Sequence, residues 1–421
     1  MASVGWYDIL IIGGGSAGLA ASIFAARSAK GRYSVAIAEK QPRVGRKLLA
    51  TGNGTCNISN SAAVMKRYHG NHPEFPQIVL EGFSSEDTCA FFESIGVECT
   101  VRADGRIYPL CVQSGAVLDC MRLEAQSLGV QELCELNVTA LHKEKNGFRL
   151  ATGGGKLFSR VVLICTGGAA SPSLGGSAEA YSLLSASGHT RTPLFPSIVQ
   201  VRTDTQYIKS VKGIRVDARI SFMRNRERLA SEKGEILFTE YGLSGPAVMQ
   251  ISRHVSDWER RKQGKMTAVL NLLPDMNKEN LMASLRRRTI MQGRTMGDLL
   301  TGLLQKRLGQ TVLRATGFHD FNLPVTALKD NDLVRIAAGI VGWEIEVTGS
   351  QGFGSAQVTA GGIDTDDFNP MTLESKLVPG LFAAGEVLDV DGDCGGFNLQ
   401  WAWASAYAAS KAMIALLDTE K

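Results

Sequence analysis

The chain has 421 residues but only eight cysteines, at 56, 89, 99, 111, 120, 134, 165 and 394, and no two of them form a Cys-x-x-Cys pair. That speaks against a zinc ribbon or a thioredoxin-like dithiol and suits a reduced, cytoplasmic setting. Histidine is scarce too. His69 and His72 stand close together, but no further ligands follow at metal-binding spacing, so no metal is expected. Long apolar runs are missing. Residues 395–410 carry no charge, yet Asn, Gln, Ser and Gly make them too polar and short to span a membrane. The run at 9–12 is too short for a signal-peptide core, and no basic stretch precedes it. Internal repeats and low-complexity segments are absent. There is also no second Gly-x-Gly-x-x-Gly. Gly352-Phe353-Gly354 lacks the third glycine and a preceding strand, so a separate nicotinamide domain is not expected.

The chain is longer than one hydrophobic core serves, so two or three domains are expected. Its net charge of +4 hides an asymmetry: residues 191–345 hold 25 Lys/Arg against 15 Asp/Glu, a local balance of +10. Arg286-Arg287-Arg288 and Arg260-Arg261-Lys262 are its sharpest basic features. Such a stretch suits either a solvated face or a surface for RNA or other anions.

Residues 7–12, apolar but for Asp8, have the pattern of a strand buried on both faces of a parallel sheet. Gly13-Gly14-Gly15-Ser16-Ala17-Gly18 follows at once, then an Ala-rich helical stretch, then a second strand over 34–39. A later strand, 161–164, runs into Thr166-Gly167-Gly168. Past Arg191 the texture changes: 197–272 alternates like strands, and 275–340 reads as helices, with Leu299, Leu300, Leu303 and Leu304 at helical spacing. Residues 381–384 make another buried strand, ending in Gly385-Glu386, and a helix closes the chain from about Leu399 to Leu417. The fold class expected is α/β, a Rossmann-type FAD-binding domain split by an inserted β-rich domain with a small helical subdomain. Its parts are 1–190 and 346–421 for the FAD-binding domain, 191–272 for the β-rich insertion and 273–345 for the helical one.

In Gly13-x-Gly15-x-x-Gly18, the first glycine permits the turn, the second lets a pyrophosphate approach and the third lets helix pack on strand. Ser16, Ala17 and Gly18 would offer free N–H groups to phosphates at the positive end of the helix. Glu39 lies 21 residues after Gly18, followed by Lys40; its carboxylate would accept from ribose hydroxyls and repel a 2′-phosphate. FAD rather than NAD is indicated further on. Gly385-Glu386 suits the ribityl or diphosphate region. Gly395-Gly396-Phe397-Asn398-Leu399-Gln400 lets a helix N-terminus lie against a flat ring, although two glycines also suit a plain helix-starting turn. Residues 45–57 add cations and amides shortly after the second strand: Arg46, Lys47, Asn53, Cys56 and Asn57.

These stretches resemble the BaiN/YhiN-type, aminoacetone-oxidase-like family of NAD(P)/FAD-dependent oxidoreductases. The resemblance also rests on residues 105–109, 166–168, 237–239, 241–246, 359–362, 380–389 and 395–404, and spans essentially the whole chain. Two positions depart from the family pattern: Thr55 stands where Arg or Lys is expected, and Glu240 where many relatives carry His. The family implies hydride transfer through flavin N5, with a small-molecule substrate, a transient NAD(P)H donor, and reduction of an activated C=C bond as the favoured reaction. Three alternatives stay open: an amine-type oxidase producing peroxide, a flavoenzyme reducing uridine in ribosomal RNA, and a non-catalytic flavin-bearing RNA-binding factor.

The candidate catalytic residues are Arg106, Tyr108 and Glu240. Arg106 and Tyr108 would orient substrate or donate a proton, or simply shape the turn before Pro109. Glu240 would serve as an acid/base group facing the flavin, or cap a turn. Cys56 and Cys394 fall in the same expected loops, where packing is the plainer role. Trp401 and Trp403 read as core or interface aromatics.

Overall fold

The computed structural model describes residues 3–262 and 264–419. The chain forms two compact units, one from 1–195 with 357–421 and the other from 196–356.

The first unit is built on a seven-stranded sheet. Strand Ser3–Ile12 lies between Val35–Ala38 and Gly155–Ile164, both parallel to it, and Gln131–Leu133 extends the Val35 side. The N-terminal half of Gly155–Ile164 pairs antiparallel with Gly147–Thr152, while its C-terminal half pairs in parallel with Leu381–Ala383. In register, Ile9, Leu10, Ile11 and Ile12 face Val161, Val162, Leu163 and Ile164. All are buried, as expected of central parallel strands covered on both faces. Helix Ser16–Ala29 is apolar nearly all round because the C-terminal helix Phe397–Thr419 packs on it, Ser410 Oγ donating to Ala21 O at 3.0 Å. Ala side chains let these two helices approach closely. Trp401 and Trp403 are core residues, and their indole N–H groups donate to Gly385 O and Ile58 O at 3.0 and 2.9 Å. Each such bond is worth about 1 kcal/mol net, and more would be lost if its carbonyl were left buried without a donor.

The second unit is a closed six-stranded barrel. Strand Trp343–Ser350 closes it by pairing with Met266–Asn271 on one side and Val201–Thr203 on the other. The boundary expected at 345/346 therefore falls inside a barrel strand. Helices Lys278–Thr289, Lys306–Ala315 and Asp330–Val341 belong to the same unit and share its core. Leu299, Leu300, Leu303 and Leu304 are not helical, contrary to their spacing. They lie in turns around Gly302, whose φ is +85°, and Arg288 Nη1 takes the Leu299 and Thr301 carbonyls that a helix would use. Their apolar side chains serve core packing rather than helix periodicity. Among the described residues, no helix is long and apolar enough to cross a membrane, and no three metal-ligating side chains cluster.

Candidate cofactor and substrate site

Strand Ser3–Ile12 ends at Gly13, whose N–H donates to Ala38 O at 2.8 Å, and the chain turns directly into helix Ser16–Ala29. A Cβ on Gly18 would strike the Gly13 carbonyl, so only glycine lets helix and strand pack here. At Gly15 a Cβ would meet nothing within 4 Å. Gly15 caps the helix with no side-chain partner and no acid in the first turn, leaving the first N–H groups to a ligand. Glu39 closes one side: Oε2 accepts from Gly14 N at 2.7 Å and Oε1 from Gln41 N at 2.8 Å. A carboxylate accepts about four hydrogen bonds, so two backbone bonds orient it and leave capacity for ribose hydroxyls.

These residues line a cleft of about 960 Å³, counting the space open to solvent, that also takes in Thr166, Gly167 and Glu179. Lys40, Arg43, Arg46 and Lys47 stand on its rim. Arg46 is held by Gln41 Oε1 and by Ser173 O. Lys47 is ion-paired to Glu386 Oε2 at 2.8 Å. Lys40 and Arg43 have no carboxylate partner among the described residues, so they are the cations free to meet a diphosphate. Arg43 carries no motif and escaped the sequence reading.

Glu386 has a role beyond the one expected of it. Its Oε1 accepts from Thr359 N at 2.8 Å while Oε2 binds Lys47. Gly385 lies against Ala17 of the first helix, and its N–H donates to Ser405 Oγ at 3.0 Å. The C-terminal segment is thereby fixed beside the glycine loop.

A second cluster forms at the start of helix Phe397–Thr419. A Cβ on Gly396 would collide with Ser59 O, so the glycine pair packs directly on strand Ser59–Asn60, and Asn60 Nδ2 donates to Gly395 O at 2.9 Å. Gln400 is the hub beneath it: Oε1 accepts from Ser59 Oγ at 2.6 Å and Thr88 Oγ1 at 2.7 Å, and Nε2 donates to Phe83 O and Ser84 O. Asn398 is turned away, clasping Gly392, and Leu399 packs on the core. Residues 51–57 run beside this cluster in a strained path, with Asn53 and Cys56 at φ +55° and +57°. Asn57 Oδ1 is buried without a partner, an acceptor the fold leaves over. Burial pushes the Cys56 thiol up to about 12, so it is neutral near pH 7 and packs as a small apolar group.

Arg106 and Tyr108 lie on strand Arg106–Pro109, paired with Ser59–Asn60. A Cβ built at Gly395 would lie 3.5 Å from Arg106 Nε, while Tyr108 is buried near Gly52 with Arg102 stacked over its ring at 4.0 Å. The Tyr108 hydroxyl has no hydrogen-bond partner among the described residues. The structure thus brings Asn57, Arg106, Gly396 and the loop under Tyr108 into one neighbourhood. Glu240 is not among the residues brought together here. It lies in the other unit, exposed, in an ion pair with Lys212 that holds its carboxyl below the usual range.

The donor set fits FAD. The glycine loop with open space at Gly15, the free helix N-terminus, Glu39 and the uncompensated Lys40 and Arg43 suit an adenosine diphosphate moiety, and the glycine-bounded helix start near Asn57 suits a flat ring.

Comparison with known proteins agrees in extent. A family model described as the HI0933-like protein Rossmann domain matches residues 7–412. A 3-dehydro-bile acid delta(4,6)-reductase of Clostridium scindens is 37% identical over 407 residues, covering 96% of this chain and 98% of the relative. A ribosomal RNA dihydrouridine synthase of Escherichia coli is 29% identical, covering 97% and 98%. Among solved structures, a 3-ketosteroid delta1-dehydrogenase from Sterolibacterium denitrificans gives a TM-score of 0.53 at 12% identity, covering 98% of this chain and 100% of that one. An Escherichia coli quinol fumarate reductase gives 0.52 at 16%, covering 100% and 72%. These structural likenesses show a shared fold.

Proposed function

The chain belongs to the HI0933-like Rossmann family, and from that premise we propose that it is an FAD-dependent oxidoreductase that reduces a carbon–carbon double bond conjugated to a carbonyl, with NAD(P)H as the electron donor. The observation that carries this reading is the glycine loop with its open Gly15, its uncapped helix and Glu39 held by two backbone bonds. The relative 37% identical is named for reducing a bile-acid dienone, and the 29% relative for making dihydrouridine; both activities saturate a ring double bond next to a carbonyl.

Bound FAD would supply two-electron hydride chemistry. The chain's own part is to hold and orient. Residues 13–18, Lys40 and Arg43 would bind the diphosphate, and Glu39 the ribose. The N-terminal end of helix Phe397–Thr419 would stabilise negative charge on the ring edge. Tyr108, with its hydroxyl unengaged and Arg106 on the same strand, would deliver the proton to the substrate carbon.

The test is a visible spectrum of the purified protein, then anaerobic titration with NADH and NADPH, then a 3-oxo-4,6-diene steroid. A flavin spectrum, bleaching by one nucleotide and loss of the dienone absorbance are expected. Colourless protein that takes up no FAD would sink the proposal; rapid stoichiometric peroxide on admitting air would favour an amine-type oxidase.

A second reading, RNA as the substrate carrier, is supported by one feature of the barrel unit. Arg287 and Arg294 have no carboxylate partner among the described residues and crowd Arg288, beside exposed Ile290 and Met291. By contrast Arg260 and Arg261 pair with Asp257, and Arg286 with Asp330.

A further inference from the structure

We propose that Arg106, with Arg102 beside it, holds the carbonyl oxygen of the substrate while enolate charge builds there; the inference rests on reading the chain as a reductase of conjugated double bonds. The hairpin of strands Cys99–Val101 and Arg106–Pro109 places the groups. Its register sets Thr100 opposite Tyr108 and Val101 opposite Ile107. One pair further on Arg102 stands opposite Arg106, and Arg102 N donates to Arg106 O at 2.9 Å. Opposed residues share a face and faces alternate along a strand, so Arg102, Arg106 and Tyr108 project from the same side. The stacking of Arg102 over the Tyr108 ring at 4.0 Å agrees.

Neither guanidinium is engaged by the fold. Arg102 is exposed and makes no ion pair or side-chain hydrogen bond among the described residues. Arg106 is half-buried, and the carboxylate paired with it, exposed Asp104, stands 3.5 Å from Nε. Structural arginines of the same unit differ: Arg122 grips Glu132 with hydrogen bonds of 2.7, 3.0 and 3.2 Å. Arg106 instead lies against Gly395 at the glycine-bounded helix start.

The reaction asks for such a cation. Hydride, carrying two electrons from the reduced flavin, forms a C–H bond at the carbon β to the carbonyl. The C=C π pair shifts to join the α-carbon and the carbonyl carbon, and the C=O π pair moves onto oxygen as an enolate. The Tyr108 proton then adds to the α-carbon, the carbonyl re-forms, and the phenolate takes a proton from solvent. The α-carbon and the oxygen are bonded to the same carbon, so proton donor and cation must stand side by side. A guanidinium stabilises the oxyanion and keeps its own proton. Arg102 is a positioning residue, holding the phenol ring that it covers.

The experiment uses purified full-length protein and 4-nitrophenol, a planar oxyanion mimic whose ionised form is yellow. At a pH where the free phenol is mostly protonated, the parent should bind it as the phenolate. Arg106→Met should weaken this binding at least about tenfold, and Arg106→Lys should restore most of it. In stopped-flow measurements with the dienone, Arg106→Met should slow reoxidation of the reduced flavin by about 10²–10³-fold, with flavin reduction by NAD(P)H at the parent rate. Arg102→Met, a second variant should Arg106→Met fold poorly, should slow the same step about tenfold. Phenolate held equally by Arg106→Met and the parent would overturn the assignment. So would a loss confined to flavin reduction, which would give the arginines to the phosphates of the nucleotide. Phenolate bound through Arg106 by a parent that reduces no dienone would support the oxyanion site and sink the reductase reading alone.

Discussion

Lys47 and Glu386 meet at 2.8 Å although 339 residues separate them, and the remaining Glu386 oxygen takes the Thr359 N–H. The pair fastens the loop after the second strand to the segment before the last helix. Lys47→Met leaves a half-buried carboxylate with one partner, and should cost about 1–3 kcal/mol. Denaturant melts of the FAD-free protein check this. Loss of stability with FAD affinity unchanged would show that the pair serves the fold alone.

Gly15 and Gly18 should separate folding from binding. Gly15→Ala meets open space at φ −77°, so the FAD-free protein should be unchanged or stabilised by about 0.4–1 kcal/mol, while FAD affinity falls at least about tenfold. Gly18→Ala strikes the Gly13 carbonyl and should yield little folded protein. Equal FAD affinity in Gly15→Ala and the parent would remove the phosphate assignment.

Tyr108→Phe keeps the ring under Arg102 and deletes the hydroxyl. Reduction of bound FAD by the nicotinamide should proceed at the parent rate, whereas turnover of the dienone should drop by about 10²–10⁴-fold. Stopped-flow measurement of the two half-reactions decides. A drop confined to the first half-reaction would move the proton donor elsewhere.

His189 supplies a pH dependence. It is buried, its Nδ1 lies 3.0 Å from Leu184 O and its Nε2 2.8 Å from Ser375 Oγ, and burial holds its pKa below the ordinary 6.5. The neutral ring satisfies both contacts by donating from Nδ1 and accepting at Nε2. As pH falls below about 6.5 the unfolded chain takes up a proton that the folded one refuses, so stability is full above that value and drains towards the folded pKa. The slope reaches at most about 1.4 kcal/mol per pH unit. Urea melts at pH 7 and 5.5 should show the loss, and His189→Gln should flatten it.

If RNA is the carrier, the double variant Arg287→Ala/Arg294→Ala should weaken binding of a labelled RNA oligonucleotide and reduce the slope of log affinity against log salt by roughly one to two. Fluorescence anisotropy across a salt series measures it. An unchanged slope would assign these arginines to solvent.

Where local structure depends on contiguous residues, it is legible in the sequence. Residues 13–18 specify strand, turn and helix locally, and the apolar runs at 9–12 and 161–164 announce buried parallel strands. The glycine pair before the last helix was legible for the same reason. Contacts that close over long stretches of sequence left no local signal. Gln400 reads as an ordinary helical polar residue until Ser59 and Thr88 converge on it. Leu299 to Leu304 misled because burial alone, without helix periodicity, accounts for their apolar character. Glu240 stands beside a Gly-rich stretch, and nothing in that stretch announces its ion pair with Lys212.

The parallel pairing of Leu381–Ala383 with Gly155–Ile164 sets an order for synthesis on the ribosome. The barrel has all its strands once residue 350 has emerged. The sheet that frames the glycine loop must wait for the strand at 381–383, and its outer helix for 397–419. A nascent chain halted shortly before residue 381 would carry every strand of the barrel but a glycine-loop sheet still lacking the strand that pairs with Val162–Ile164, so the barrel's strands are all present before that sheet is complete.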